Sequence, residues 1–278
     1  IPVVYGFCRG IGSVSYAAAV LLLGFVLERH APTLLLPVFA ALTACGLIAM
    51  AGFRLPERPD EAADRPAEHR SIAAVLRSHP RFALTLLGCM FFFLTHTISN
   101  TYMNALVGKA GGTASAVGTS LAISAVLELP AMTLVSRLQK RFSPGFFLRF
   151  AAGAEVVKFL IFYLARSMPL IYLGQCMQFF QFAVYAPATV YYVAAALPER
   201  DQLKGQSLIY VAGSGLGGAL GNLLGGRLLD RSGIQAALLL GTVSAAVTDE
   251  ALNAACAAFD GLALWREASA DRSLRYLF

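Results

Sequence analysis

The stretch GQCMQFFQFAVYAPATVYYV, from Gly174 to Val193, is long and apolar enough to cross a lipid bilayer. It also carries a proline, Pro187, and three glutamines spaced three residues apart: Gln175, Gln178 and Gln181. An amide side chain is costly in hydrocarbon unless water or a neighbouring helix satisfies its hydrogen bonds. The stretch therefore predicts a membrane helix whose polar face turns towards a cavity inside a helical bundle.

The composition of the chain indicates a multi-pass membrane protein. Of its 278 residues, 57% are hydrophobic and 14% are charged, whereas a soluble domain has about 25% charged residues. The net charge is +6, but lysine and arginine lie mainly in loops between apolar segments, which is typical of membrane orientation and not of nucleic-acid binding. We expect the lipid bilayer as a partner, no nucleic acid, and a location in the inner (plasma) membrane.

Apolar segments of membrane-spanning length recur along the chain. We predict spans at 3–27, 33–53, 82–106, 114–136, 146–165, 169–196 and 205–229, and an eighth that begins at Ile234 and stays apolar only to Val247. The predicted fold is an all-α membrane helix bundle with about seven to eight transmembrane helices. The eighth segment is short for a span. It is either a half-length or interfacial helix, or the start of an unnatural ending; residues 248–278 are an atypical charged tail.

Residues 54–81 form the one long polar connection between apolar segments. They are rich in charge and proline, which is typical of a solvated linker. Ser71 is placed to cap a short amphipathic helix near the end of this linker. Lysine and arginine on alternate sides of the predicted spans number twelve against five, which places the linker in the cytoplasm.

Polar side chains within the predicted spans are the candidate functional residues, because such groups are costly at membrane depth. Glu155 and Lys158 are three residues apart and are spaced to pair on one helical face. The candidates are Arg9 in the first segment, His96, Asn100 and Asn104 in the third, Glu128 in the fourth, Glu155 and Lys158 in the fifth, and Gln178, Gln181 and Tyr185 in the sixth. They either line a shared polar cavity or pair with neighbouring helices for packing alone.

Four glycines at four-residue spacing predict a close helix contact in the seventh segment. Gly213, Gly217, Gly221 and Gly225 share one helical face, and such a face lets another helix approach closely. The sequence contains no GxSxG, HExxH, P-loop or CxxC motif. We therefore expect neither an enzyme nor a cofactor or metal site.

Three segments carry a resemblance to a known family. They are YGFCRGIGSVSY at 5–16, VSRLQKRFSPGFFLRF at 135–150 and LGGALGNLLGGRLLDRSG at 216–233. Together they resemble the major facilitator superfamily, in the branch of lactose permease and related sugar and nucleoside proton symporters. The resemblance covers about residues 1–247 and implies family helices five to twelve, with helices one to four absent. Residues 1–53 are then the last two helices of the N-terminal half, 54–81 the linker, and 82–247 the C-terminal half.

The resemblance implies roles for several candidates. Arg9 and Tyr16 stand where the permease has a sugar-contacting arginine and a stacking aromatic ring. Lys158 matches a ninth-helix arginine, and Glu128 lies about one turn from a proton-linked glutamate. Gln178 and Gln181 replace a titratable histidine and glutamate, while His96 and Ser99 replace two acidic residues. The coupling residues thus depart from the family pattern.

These observations predict a secondary active transporter that moves a small polar solute, a sugar or nucleoside, by alternating access with a proton. Glu128 is the candidate protonatable group, and Glu155 and Lys158 complete the candidate coupling set. The partners expected are the solute, the proton and the missing N-terminal helices. Two alternatives remain: a multidrug exporter, for which FFFL and QFFQF suggest an aromatic cavity, and a non-transporting membrane sensor or assembly subunit.

Overall fold

Every regular element in the described part of the chain is a helix. The structure is a computed structural model that describes residues 5–52, 71–139 and 141–257. Its helices are α1 (Tyr5–Leu27), α2 (Leu35–Ala51), α3 (Ile72–Ser78), α4 (Pro80–Thr101), α5 (Met103–Lys109), α6 (Ala114–Leu138), α7 (Pro144–Leu164), α8 (Met168–Cys176), α9 (Phe182–Ala196), α10 (Glu199–Tyr210), α11 (Gly218–Ser232) and α12 (Ile234–Cys256). Short 3₁₀ turns lie at Pro32–Leu34 and Met177–Phe179, and a π-helical turn at Val211–Gly217 joins α10 to α11.

Five helical units in the described part of the chain are long and apolar enough to cross a membrane: Pro32–Ala51, Pro80–Thr101, Ala114–Val135, Met168–Ala196 and Glu199–Ser232. Helices α7 and α12 have 21 and 23 residues, which also reaches the length of about 20 residues that a span needs. The bundle therefore has the helix content expected of a multi-pass membrane protein.

Two predicted boundaries differ from the structure. The third segment breaks at Tyr102, where α4 ends and α5 begins. The eighth continues past Val247 to Cys256, so α12 is not half-length. Its buried positions beyond Val247 are Thr248, Ala251, Leu252, Ala255 and Cys256. These buried positions recur at helical spacing on both sides of Asp249 and Glu250. The helix therefore continues after the apolar run ends, and the end of that run did not predict the end of the helix.

The core lies between α4, α7, α9 and α12. Phe92, Leu148, Tyr192 and Leu252, one from each helix, are fully buried in the same cluster. The short helix predicted after Ser71 is α3, and the Ser71 hydroxyl accepts a hydrogen bond from the Ala74 amide at 3.2 Å. In contrast, α2 contributes no buried residue to the described part of the chain.

The glycine stripe predicted a close helix contact, and the structure confirms it. A Cβ atom on Gly221 would lie 2.6 Å from the backbone oxygen of Leu94 in α4, and one on Gly217 would overlap the backbone oxygen of Met90. The π-helical turn and α11 therefore rest directly on the backbone of α4.

Helices α1 and α6 also cross closely. A Cβ atom on Gly118 would lie 2.5 Å from the backbone oxygen of Val20. Beyond the end of α1, the Glu28 carboxylate accepts a hydrogen bond from the Ser115 amide at 3.4 Å. Hydrogen bonds from the Ser115 and Thr113 side chains hold the pKa of this exposed carboxyl below its usual range. This contact joins the two predicted halves of the fold.

Candidate solute-binding cavity

A cavity of about 470 Å³ opens between α1, α4, α6 and the junction of α8 with α9. Small-molecule sites in proteins occupy about 300–1,000 Å³, so its size fits a small solute. Its lining residues are Gly12, Ser13, Tyr16, His96, Thr97, Asn100, Thr101, Ser124, Ala125, Glu128, Gln178 and Phe182. Of these described lining residues, Glu128 alone carries a formal charge at neutral pH, with histidine counted as neutral.

The structure brings several predicted residues together at this cavity. Five of them, from four separate parts of the chain, line it: Tyr16, His96, Asn100, Glu128 and Gln178. Arg9 belongs to α1, but its side chain lies outside the described part of the chain.

Sequence reasoning missed the polar lining residue Ser13. It stands four residues after Arg9 and three before Tyr16, so all three share one helical face. That spacing was the available signal. A serine inside a helix is ordinary, however, and only its contact with Glu128 distinguishes it.

Three predicted solute contacts do not line the cavity. Asn104 is exposed on α5, because the break at Tyr102 interrupts the helix on which its four-residue spacing depended. The Tyr102 hydroxyl donates to the backbone oxygen of Asn222 at 2.6 Å. Tyr185 is buried and stacks on Phe92 with ring centroids 3.7 Å apart. Gln181 is fully buried behind the cavity wall.

A hydrogen-bonded chain runs from the cavity into the core. Ser13 Oγ donates to Glu128 Oε2 at 2.5 Å. On the other side of the carboxylate, Gln178 Nε2 donates to Glu128 Oε1 at 3.2 Å. Lys158 Nζ donates in turn to Gln178 Oε1 at 2.6 Å. The amide of Gln178 thus bridges a carboxylate at the cavity and an ammonium group that is buried.

The ion pair expected between Glu155 and Lys158 gives way to other contacts in the described structure. Lys158 reaches Gln178, and its ammonium lies 5.6 Å from the centre of the Phe162 ring. Glu155 Oε1 instead accepts hydrogen bonds from the Thr95 hydroxyl and, at 3.3 Å, from Gln181 Nε2. Contacts from other helices thus override the preference set by spacing along α7.

The discontinuity between α8 and α9 explains why the glutamines separate. In a regular helix, residues three apart share a face. The 3₁₀ turn at Met177–Phe179 and the non-helical backbone of Gln181, with φ −92° and ψ −91°, interrupt that register. Gln178 consequently contacts Glu128, whereas Gln181 contacts Glu155. The broken helix thus links two different carboxyl groups.

His96 and Phe182 form an aromatic part of the lining separate from Tyr16. Their rings stack with centroids 4.3 Å apart and an interplanar angle of 12°. Asn100 Nδ2 donates to the backbone oxygen of His96 at 2.8 Å and lies 3.2 Å from its Nε2. These contacts hold the histidine and asparagine side chains in position beside the cavity.

The family follows from comparison with known proteins. A family model described as the MFS_1 like family matches residues 2–240. The chain belongs to this family. The major facilitator resemblance expected from the sequence is therefore confirmed, and the chain is part of a multi-pass membrane protein.

Two curated proteins are similar to this MFS_1-like chain. The maltose permease of Geobacillus stearothermophilus is 30% identical over 237 residues, which is 84% of this chain and 59% of that protein. The uncharacterized transporter YwbF of Bacillus subtilis is 23% identical over 236 residues, which is 85% of this chain and 58% of that protein. The chain thus spans about three fifths of the length of these relatives.

Solved structures share the fold. The E. coli fucose:proton symporter FucP has a TM-score of 0.58 and 19% identity, covering 83% of this chain and 60% of the symporter. A second structure of FucP, in the outward conformation, has a TM-score of 0.54 and 17% identity, covering 83% of this chain and 59% of that one. The bundle of this MFS_1-like chain is therefore an incomplete major facilitator fold.

Proposed function

We propose that this chain is part of a secondary active transporter that moves a small neutral hydroxylated solute of the sugar class by alternating access. The observation that carries the proposal is the cavity of about 470 Å³, in which a single carboxylate is linked through Gln178 to the buried Lys158. The names of the relatives, a maltose permease and a fucose:proton symporter, agree with this class of solute.

Solute recognition rests on hydrogen bonds and one aromatic surface. The lining offers hydroxyls from Ser13, Thr97 and Ser124, and the amides of Asn100 and Gln178. These groups match the alternating donors and acceptors of a sugar. Tyr16 is 47% exposed, so its ring is available to pack against the apolar face of a pyranose. The sequence also predicts Arg9 of α1 as a donor to the solute.

Coupling rests on Glu128, Glu155 and Lys158, with a proton as the coupling ion. Lys158 contacts Gln178, which contacts Glu128 at the cavity. Glu155 lies one helical turn before Lys158 and is completely buried. A change of charge in this cluster therefore alters the hydrogen bonds of Gln178, which lines the cavity, and so alters the affinity for the solute. Coupling requires such a link between proton binding and solute affinity.

We further propose that the intact protein supplies additional N-terminal helices and that 54–81 is a cytoplasmic linker in the inner (plasma) membrane. The apolar helix Pro32–Ala51 buries none of its residues in the described part of the chain. A helix that is apolar on every side needs lipid or other helices around it. Additional helices would also close the side of the cavity next to α1.

The multidrug-exporter alternative requires an aromatic cavity. Of the six phenylalanines in FFFL and QFFQF, Phe182 is the one found among the described lining residues of the cavity. Phe92 is fully buried in the core, and Phe180 is 41% exposed on the outside. Nine of the twelve described lining residues carry a polar side chain, which favours a hydroxylated solute over a lipophilic cation.

Transport by the intact protein in liposomes tests the proposal. An imposed proton gradient should drive uptake of a radiolabelled maltose or hexose, a protonophore should abolish it, and lipophilic cations should not be carried. Glu128→Gln should lower uptake at least tenfold, because a hydrogen bond to a charged group contributes about 1.5–3 kcal/mol. Unchanged uptake would remove Glu128 from the mechanism. Solute binding without counterflow would favour a sensor instead.

Asn100 and Asn104 provide a matched pair of variants. Asn100→Ala should weaken solute binding by about fivefold, since one hydrogen bond is worth about 1 kcal/mol. Asn104→Ala should leave the affinity unchanged because Asn104 lies on α5, away from the cavity. Isothermal titration with the transported sugar measures both. Equal effects of the two substitutions would contradict the position of the cavity.

A further inference from the structure

The half-buried carboxyl group of Glu128 and the fully buried one of Glu155 have opposite hydrogen-bond patterns. Both oxygens of Glu128 accept hydrogen bonds, Oε2 from Ser13 and Oε1 from Gln178. This is the pattern of an ionised carboxylate, which only accepts. In Glu155, Oε1 accepts from Thr95 and Gln181, whereas Oε2 has no hydrogen-bond partner among the described residues.

Gln181 completes the asymmetry. Its Nε2 donates to Glu155 Oε1 at 3.3 Å, while its own Oε1 has no hydrogen-bond partner in the described structure. Glu155 and Gln181 are both fully buried, so bulk water does not satisfy either oxygen. Two unpaired acceptors on neighbouring groups are costly, and a single donor between them satisfies both.

We propose that Glu155 holds a proton on Oε2 in this conformation and donates it to Gln181 Oε1. Acid and amide then form a two-point pair, with the amide N–H donating to the carbonyl oxygen and the acid O–H donating to the amide oxygen. Glu155 is therefore the proton-binding site, Gln181 is its positioning residue, and Glu128 is the ionised group that faces the solute. This reassigns the proton from Glu128, the candidate favoured by the sequence.

The surrounding charges agree with this assignment. Lys158 on α7 carries one positive charge and is linked through Gln178 to Glu128 on α6, which carries one negative charge. The other titratable groups nearby are Tyr185 on α9 and Cys89 on α4, with Asp249 of α12 beside Gly153 on α7. With Glu155 protonated, the set of Glu128, Glu155 and Lys158 is neutral. With Glu155 ionised, it has an uncompensated negative charge in a dry site.

The position of Gln181 suggests how the proton leaves. Gln181 stands at the discontinuity between α8 and α9, whereas Glu155 lies on the continuous helix α7. A change in the angle between α8 and α9 separates the amide from the acid. The released proton passes to water, and the charge of the set falls from zero to minus one. Proton release through this change in angle rests on the proposed transport function. The assignment of a bound proton to Glu155 does not.

Infrared difference spectroscopy of the intact protein in lipid tests the assignment directly. At neutral pH the wild type should show the C=O band of a protonated carboxylic acid, and Glu155→Gln should remove one carboxyl equivalent of it. Gln181→Leu should shift this band to higher frequency, because the acid loses its hydrogen bonds. Glu128→Gln should leave the band in place, as should the control Glu250→Gln on an exposed position of α12.

Two results would overturn the assignment: a wild type without an acid band at neutral pH, or a band that Glu128→Gln removes and Glu155→Gln retains. The Gln181→Leu spectrum keeps the test decisive if Glu155→Gln does not fold, since an unshifted band rejects the acid–amide pair.

Transport separates this inference from the proposed function. Glu155→Gln should retain counterflow, because a glutamine amide reproduces the two-point pair with Gln181, and should lose accumulation driven by a proton gradient. A wild type that shows the Glu155 band but neither accumulation nor counterflow would reject the transport function and leave the proton site standing. Normal proton-driven accumulation by Glu155→Gln would overturn the role of this proton in coupling.

Discussion

Replacing Lys158 with methionine is expected to abolish the proposed active uptake and to destabilise the folded protein. Lys158 is 1% exposed, and its ammonium is linked through Gln178 to the carboxylate of Glu128. Methionine preserves much of the side-chain volume but leaves that carboxylate without its positive partner. Removing one member of a fully buried ion pair costs about 3–5 kcal/mol. Glu128 is half-buried and is linked to Lys158 only through Gln178, so we expect a loss below that range. Thermal denaturation of the detergent-extracted protein and its monodisperse yield measure the loss.

Double variants identify the charge that Lys158 balances. Adding Glu128→Gln to Lys158→Met should restore much of the stability, because both charges are then removed, although active uptake stays absent. Adding Glu155→Gln instead should give no recovery, since a protonated Glu155 carries no charge to remove. If stability recovers in Lys158→Met with Glu155→Gln but not in Lys158→Met with Glu128→Gln, then Lys158 balances Glu155 and not Glu128. A Lys158→Met single variant as stable as the wild type would reject the buried charge link.

Gly217→Ala is expected to cause the second large loss, through packing and not charge. The added methyl group would overlap the backbone oxygen of Met90, and the Cβ of Phe93 lies 3.1 Å away. Backbone atoms of α4 move only if the whole helix moves, so we expect a loss at the upper end of the range of about 1–3 kcal/mol for overpacking. The melting temperature of the purified protein provides the measurement.

Gly215→Ala is the matched control for this contact. It lies in the same π-helical turn, yet its nearest neighbour would be the backbone oxygen of Tyr210 at 4.0 Å. It should therefore be neutral or slightly stabilising, because alanine loses less backbone entropy than glycine on folding. If Gly217→Ala and Gly215→Ala destabilise the protein equally, then these glycines are needed for backbone flexibility and not for the close approach of α4.

The sequence by itself determined the helical segments, the family and the glycine face. Each of these follows from regularities within one segment: a long apolar run, a recurring glycine, or motifs in a fixed order. Local periodicity reports how one helix is buried, so it predicts the helix without knowledge of its neighbours. Polar residues within single segments also identified His96, Asn100, Glu128 and Gln178, and the family resemblance identified Tyr16; all five line the cavity.

Only the tertiary structure decided which polar groups contact one another. The turn between α8 and α9 sends Gln178 to Glu128 and Gln181 to Glu155, although both glutamines occupy the same face of an ideal helix. The break at Tyr102 likewise removes Asn104 from the stripe that its spacing predicted. Hydrogen-bond partners come from distant helices, and a single irregular turn rotates every later side chain, so spacing along the chain does not specify them.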